Sequence, residues 1–339
     1  MMCFMKGMFS GFLLLVLVTP STIYGSPLAK QKHAYVYVFN VGSESVSIID
    51  TLSNELVVTV DVGFKVRWFA TGNYFDGRYI WMVDGNPATA AVLIFDPKTL
   101  KVVRRIPVGK GPSFGVELTA DGKRALVPAA GDDLVAVIDT STFEIIKRIR
   151  TGKFPCDIDI APDGKLAFEP DRDQDTVSVI DTATFEVIRV IPFKKGSKPH
   201  MLTVSPKSKF LWVEERDANV VSILDASTFE VVKRIPVGNK PAANEFTPDG
   251  RYSFVTHIGD KVVKVIDART FEVVKTIAVG NGPVNTVFRP DGKYAYVTNM
   301  RDDTVSVIDL SELEVVKTLK VGKTPFGLLV IPAMDGQNF

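Results

Sequence analysis

From His33 onward, apolar and polar residues alternate in short runs rich in Val, Ile, Thr, Tyr and Phe, and clusters of turn-forming residues separate the runs. This period of two is the signature of half-buried strands, and no stretch carries the pattern of a long helix. The alternation is itself repeated. Segments reading VSIID, VLIFD, VAVID, VSVID, VSILD, VKVID and VSVID end at Asp50, Asp96, Asp139, Asp181, Asp225, Asp267 and Asp309, at spacings of 46, 43, 42, 44, 42 and 42 residues. A period of about 43 is the length of one four-stranded propeller blade.

The last complete unit shows the expected elements, strands A to D. Val284 to Arg289 reads as strand A, Pro290 to Lys293 as a tight turn, Tyr294 to Asn299 as strand B, Thr304 to Asp309 as strand C and Val315 to Val321 as strand D. The first unit opens directly at strand B, His33 to Asn40, whereas the chain ends on Pro325 to Pro332, which has the form of a strand A with nothing after it. Pairing the C-terminal strand with the N-terminal strands in one composite blade removes the free sheet ends. The predicted fold is therefore all-β, a single seven-bladed β-propeller over residues 33–332, in place of the two domains that 339 residues would otherwise suggest.

The turns have mechanical reasons. Asp121-Gly122, Asp163-Gly164, Asp249-Gly250 and Asp291-Gly292 supply the positive φ of a tight A–B hairpin. In five units the Asp ending strand C stands three residues before a Thr, as in Asp139 and Thr142, where its carboxylate can accept from turn amides. Their repetition assigns these aspartates to structure. Lys101, Arg104, Arg105, Lys147, Arg148, Arg189, Lys233, Arg234, Lys275 and Lys317 all fall in strand D, the exposed blade edge, where charge blocks pairing with another sheet.

Charge narrows the function. The 40 Lys and Arg against 39 Asp and Glu leave +1, too weak a field for the nucleic-acid backbone or an anionic membrane to be the expected partner. Residues 1–25 read as a signal peptide: Lys6 is the one charge before Lys30, Phe9 to Val18 are mostly apolar, and small residues follow Pro20. That run is too short to span a bilayer, so no transmembrane segment is expected in the mature chain. Cleavage near Gly25 predicts a periplasmic, secreted or cell-surface protein with a linker at 26–32 and a tail at 333–339; a retained N-terminal anchor is the alternative. Cys3 would leave with the leader, and Cys156, alone, can form no internal disulfide. No Cys-x-x-Cys-His marks a covalent c-type haem, and no Ser-His-Asp arrangement, phosphate-binding Gly loop or His-Glu-x-x-His occurs.

Tyr296-Val297-Thr298-Asn299, with Phe254-Val255-Thr256-His257 and Tyr37-Val38-Phe39-Asn40 as variants, resembles the tetrapeptide of the YVTN propeller repeats. The Val-Gly-x-x-Pro and Pro-Asp-Gly-Lys elements match as well, and the resemblance covers nearly all of residues 33–332. It implies an exported propeller. The haem-binding propellers of cytochrome-type nitrite reductases and of their haem-maturation proteins look similar, which makes a tetrapyrrole-handling factor or oxidoreductase-like propeller one expectation.

Departures from the internal consensus are the guide to a site, and two equivalent positions face one mouth of the channel. The residue after the Pro opening strand A is Ser113, Cys156, His200, Ala242, Val284 or Phe326, with Arg67 at the same place after Val66; strand B ends on Asn40, Asp84, Ala129, Asp171, Glu215, His257 or Asn299. The candidate ligand-binding residues are Arg67, Trp68, Phe114, Cys156, Asp157, Asp171, Arg172, His200, Met201, Glu215, Arg216 and His257, with Phe64, Phe154 and Phe193 from the D–A loops. An aromatic rim with a few ionisable groups suits a small planar ligand or a protein partner. Packing between blades is the plainer explanation of the aromatics.

Cys156, His200 and His257 form a candidate soft-metal set, for copper or zinc, supported by ligand type and not by spacing. Glu117, Asp159 and Glu245 stand four residues before the turn Asp of strand A, where other units have Thr203, Val287 and Leu329, and need partners such as Arg67, water or a cation. The leading expectation is a non-catalytic binding or scaffold protein using the mouth and its loops. A haem-like tetrapyrrole protein with His200 or His257 as axial ligand, and a cell-surface adhesion protein, are the alternatives.

Overall fold

The period-two runs become strands of three different kinds, according to how deep they lie. Strands B and C are buried on both faces, as in Tyr37, Val38 and Phe39 of β1 and Val46, Ile48 and Ile49 of β2, while strand D alternates half-buried and exposed residues along Glu55–Asp61. The computed structural model describes residues 33–62, 73–84, 88–111, 114–207 and 209–334. The leader, the linker, Phe64, Arg67, Trp68 and residues 335–339 of the tail lie outside the described residues.

Seven four-stranded antiparallel sheets result. Blade 1 contains β1 (Ala34–Asn40), β2 (Ser45–Asp50) and β3 (Glu55–Asp61); blade 2 contains β4 (Asn73–Phe75), β5 (Ile80–Val83), β6 (Ala90–Asp96) and β7 (Lys101–Gly109). Blade 3 runs through β8 (Glu117–Leu118), β9 (Arg124–Ala129), β10 (Leu134–Asp139) and β11 (Ile145–Arg150), and blade 4 through β12 (Asp159–Ile160), β13 (Leu166–Asp171), β14 (Thr176–Asp181) and β15 (Glu186–Pro192). Blade 5 is β16 (Pro199–Val204), β17 (Phe210–Glu215), β18 (Val220–Asp225) and β19 (Val231–Pro236). Blade 6 is β20 (Pro241–Phe246), β21 (Tyr252–His257), β22 (Val262–Asp267) and β23 (Glu272–Ala278). Blade 7 is β24 (Pro283–Phe288), β25 (Tyr294–Asn299), β26 (Thr304–Asp309) and β27 (Glu314–Lys320).

The C-terminal strand β28 (Pro325–Pro332) pairs antiparallel with β1, Tyr37 opposite Leu329, and completes blade 1 as expected. Each innermost strand touches the next, from β28 through β4, β8, β12, β16, β20 and β24 back to β28, so the ring is closed. Two bonds from blade 7 reinforce the seam. Tyr296 Oη donates to Asn54 Oδ1 over 2.5 Å, and Arg289 Nη1 donates to the Thr51 carbonyl over 2.7 Å.

The predicted turn chemistry is present. Gly122, Gly164, Gly250 and Gly292 have φ between +66° and +73°. Asp139 Oδ1 accepts from the Ser141 and Thr142 amides, and Asp50, Asp96, Asp181, Asp225, Asp267 and Asp309 repeat the motif. One feature escapes the turn rules. Phe143, Phe229 and Phe271, in the C–D turns, hold φ of +60° to +63°, a strained choice for a bulky residue. Their rings pack on strand B aromatics of the preceding blade, Trp81, Phe168 and Trp212 respectively, with centroids 5.7–6.2 Å apart. Inter-blade aromatic packing thus supports the strained backbone.

Candidate functional site

The channel mouth is built where the D–A loop of one blade meets the B–C loop of the same blade. In blade 4 the Cys156 amide donates to the Pro170 carbonyl and the Arg172 amide to the Phe154 carbonyl, which sets strand B's end beside the entrance to strand A. Blades 3, 4 and 5 bring five of the expected side chains together there. Phe114 lies 6.1 Å from Phe154 and 5.5 Å from His200, centroid to centroid. The Arg172 guanidinium sits 3.6 Å above the Phe154 ring, a stacked cation–π contact. Arg216 Nη1 is 3.1 Å from His200 Nε2.

Electrostatics distinguish the two arginines. Arg172 is neutralised by Asp173 at 3.1 Å, which also pairs with Lys198. Arg216 makes no ion pair among the described residues, and only the more distant charge of the adjacent Asp217 offsets it, although it is only partly exposed. A guanidinium stays protonated and can only donate, so His200 Nε2 is the acceptor and the imidazole carries its proton on Nδ1. Burial, then the charges of Arg216 and Arg172, push His200 down to about 3. The Nδ1–H is buried and has no acceptor. Burial also holds Arg216 below the usual guanidinium range, with the Asp217 charge opposing the shift and Arg172 adding repulsion. An unpaired cation beside an unsatisfied N–H is an arrangement suited to an anion.

The remaining expected residues are placed differently. Cys156 is fully buried, its thiol directed at the Phe154 carbonyl 3.4 Å away, and burial pushes it up. Met201 is buried on β16 opposite Glu214. Phe193 packs into the apolar cluster between blades 4 and 5. Asp171, Glu215 and His257 have no solvent exposure and bond within their own blades. Asp171 accepts from Thr176 at 2.8 Å, Ser178 at 2.9 Å and the Gly152 amide; Glu215 accepts from Arg234 at 2.7 Å; His257 Nδ1 lies 3.4 Å from the Val262 carbonyl. Asn40 and Asn299 do the same with Ser47 and Ser306. This ring ties strands B and C to the loop behind them. The loop glycine follows from it, since a Cβ on Gly280 or Gly322 would lie 2.6 Å from Asn299 or Asn40.

No three His, Cys, Asp or Glu side chains among the described residues are placed to hold a metal ion, so Cys156, His200 and His257 do not form a ligand set. Axial ligation of a haem iron fits poorly too. His200 Nε2 already accepts from a guanidinium, and His257 Nε2 is buried with the ring against Gly238.

Below the mouth lies the layer of acids. Asp157 and Asp159 reach from blade 4 to the inner edge of blade 5, accepting from the Leu202 amide at 3.3 Å and the Val204 amide at 2.8 Å. Burial pushes both up to about 7 despite these bonds, and burial with the charges of Asp159 and Asp157 pushes Glu245 up to about 8. Glu117 is raised well above the ordinary carboxyl value by burial and then by Asp159, Asp157 and Glu245. Two further acids belong here that strand patterning left unremarked. Glu214 replaces the Thr found at Thr256 and Thr298, and Glu169 replaces the apolar residue found at Val127, Val213, Val255 and Val297; both are fully buried and raised by it. Their departure from the repeat consensus was the available signal.

Comparison with solved structures supports the fold. The chain is similar to hydrazine synthase of Kuenenia stuttgartiensis (21% identity, TM-score 0.67, 78% of this chain and 94% of that one). It is also similar to the periplasmic gluconolactonase PpgL of Pseudomonas aeruginosa (18%, TM-score 0.71, 88% and 99%). A third likeness is to the dihydro-haem d1 dehydrogenase NirN in complex with DHE (18%, TM-score 0.62, 84% and 63%). No curated protein matches. The YNCE-like β-propeller family matches residues 20–289, and with seven closed four-stranded blades the chain belongs to that family.

Proposed function

We propose that this propeller is an exported, non-catalytic binding protein that takes a flat, negatively charged small molecule at the channel mouth between blades 3, 4 and 5. The observation that carries the reading is the unpaired Arg216 guanidinium bonded to a neutral His200. A partly buried cation with no ion-pair partner, offset only by the more distant Asp217, is costly unless a ligand supplies a closer charge. The Arg172 guanidinium, paired with Asp173, lies flat on Phe154 with Phe114 behind it and supplies a planar stacking face for a conjugated ring, while Arg216 supplies the charge. Stacking and charge, in place of axial ligation, hold the ligand.

Export is supported by the leader-like residues 1–25. Cell fractionation followed by N-terminal sequencing tests it, with a mature terminus near Ser26 expected and a cytoplasmic, full-length chain contrary to the reading. Ligand class is tested with metal-free protoporphyrin IX, a planar dicarboxylate, against its uncharged dimethyl ester. Saturable binding of the acid, weakened at least tenfold in the ester, is expected; equal binding of the two would reject the charge reading.

A further inference from the structure

Five acidic side chains from blades 3 to 6 meet around the channel below the mouth: Glu117, Asp157, Asp159, Glu214 and Glu245. Blades 3 and 6 stand three places apart in a ring of seven, so the mutual repulsion of Glu117 and Glu245 acts across the channel. Asp157 lies between blades, with Oδ2 on the Leu202 amide and Oδ1 so close to Gly115 that a Cβ there would be 2.7 Å away. None of the five has an ion-pair partner among the described residues.

Two of the five are also unsatisfied. Glu214 has no solvent exposure and neither carboxyl oxygen is hydrogen-bonded, yet its side chain is within electrostatic reach of both Asp157 and Glu245. Glu117 Oε1 is likewise buried without a partner. Groups of this kind are rare in a finished core and call for a partner.

The spread of the charges defines that partner. The acids do not converge on one point, and no three His, Cys, Asp or Glu side chains among the described residues are set to hold a metal ion. Carboxyl groups distributed around a channel match a chain of separated ammonium groups. We propose that a linear di- or polyamine enters this channel and pairs its ammonium groups with the carboxylates of Glu117, Asp157, Asp159, Glu214 and Glu245. In the free protein burial and mutual repulsion raise these groups, Asp157 and Asp159 to about 7 and Glu245 to about 8, so the amine must displace protons as it binds at neutral pH. The site is separate from the anion-binding mouth and does not depend on it.

Calorimetric titration of the full chain with spermidine at pH 6.0 and pH 8.5 tests the proposal, with sodium and calcium chlorides run in parallel. Saturable one-site binding is expected, at least tenfold tighter at pH 8.5, with protons released to the buffer. Glu245→Gln and Glu117→Gln should each weaken it about tenfold while melting no lower than wild type, since each replaces a carboxyl whose ionisation the buried site disfavours with a neutral amide of the same shape. Absence of saturable binding at pH 8.5 overturns the proposal. So does binding that both variants leave unchanged, or calcium binding of equal affinity that spermidine cannot displace. Two variants on different blades guard against one failing to fold.

Discussion

Arg216 donates to Nε2 of His200 over 3.1 Å, and this one bond fixes the tautomer of a buried histidine at the channel mouth. His200 should therefore remain a neutral Nδ1–H imidazole throughout pH 5–8, which imidazole NMR can follow directly. In Arg216→Ala its pKa should rise from about 3 yet stay below the ordinary 6.5, because burial is the larger cause. A wild-type His200 titrating near 6.5 would contradict the placement.

Stability should fall as pH rises from 5 to 8. Asp157 and Asp159 are raised from 3.8 to about 7 and Glu245 from 4.5 to about 8, so their contribution is complete below the unfolded values and is lost as pH climbs through the folded ones. His200 and His257, lowered from 6.5 to about 3 and about 4, act oppositely, since their contribution is present above 6.5 and lost on acidification. The raised acids outnumber them. Melting temperature measured against pH should show the decline, and Asp159→Asn with Glu245→Gln should flatten it.

Ring closure should be indispensable. Deleting residues 325–339 removes β28 and with it the buried Phe326, Leu328, Leu329 and Ile331. At about 1.5–3 kcal/mol for each apolar side chain, their loss amounts to about 6–12 kcal/mol. That rivals the whole net stability of a typical domain, about 5–15 kcal/mol. Circular dichroism and gel filtration should report an unfolded or aggregated chain; a monomeric protein melting as wild type would refute the closure.

Glu169→Val should stabilise the fold by about 1–3 kcal/mol, the cost of an ill-satisfied buried polar group. The carboxyl stands where Val127, Val213, Val255 and Val297 pack in other blades, and burial, then the nearby Asp171 charge, raises it. Chemical denaturation of the variant measures the gain, and a loss of stability would show that Glu169 has a structural partner that valine cannot replace.

How far these features were legible depends on whether they repeat. The seven copies of strand C, the Asp-Gly hairpins and the orphan strand Pro325–Pro332 encode local rules many times over, and blade number and closure follow from them. The mouth occurs once. Its equivalence positions brought out Phe114, His200, Arg172 and Arg216, which do meet, and also Asp171, Glu215 and His257, which turn into their own blades to bond strand C or the neighbouring loops. Strand position tells which end of a blade a residue occupies, not whether its side chain points to the opening or back along the sheet. Glu169 and Glu214 were missed for a related reason: within a strand they interrupt an apolar run without changing its period.

The most direct test of the anion-binding mouth is fluorescence titration of metal-free protoporphyrin IX into wild-type protein and into Arg216→Ala. Saturable one-to-one binding to the wild type is expected, weakened about 10–100-fold when the charge-assisted contact, worth about 1.5–3 kcal/mol, is removed. Binding that is absent from the wild type, or that Arg216→Ala leaves unchanged, would contradict the account.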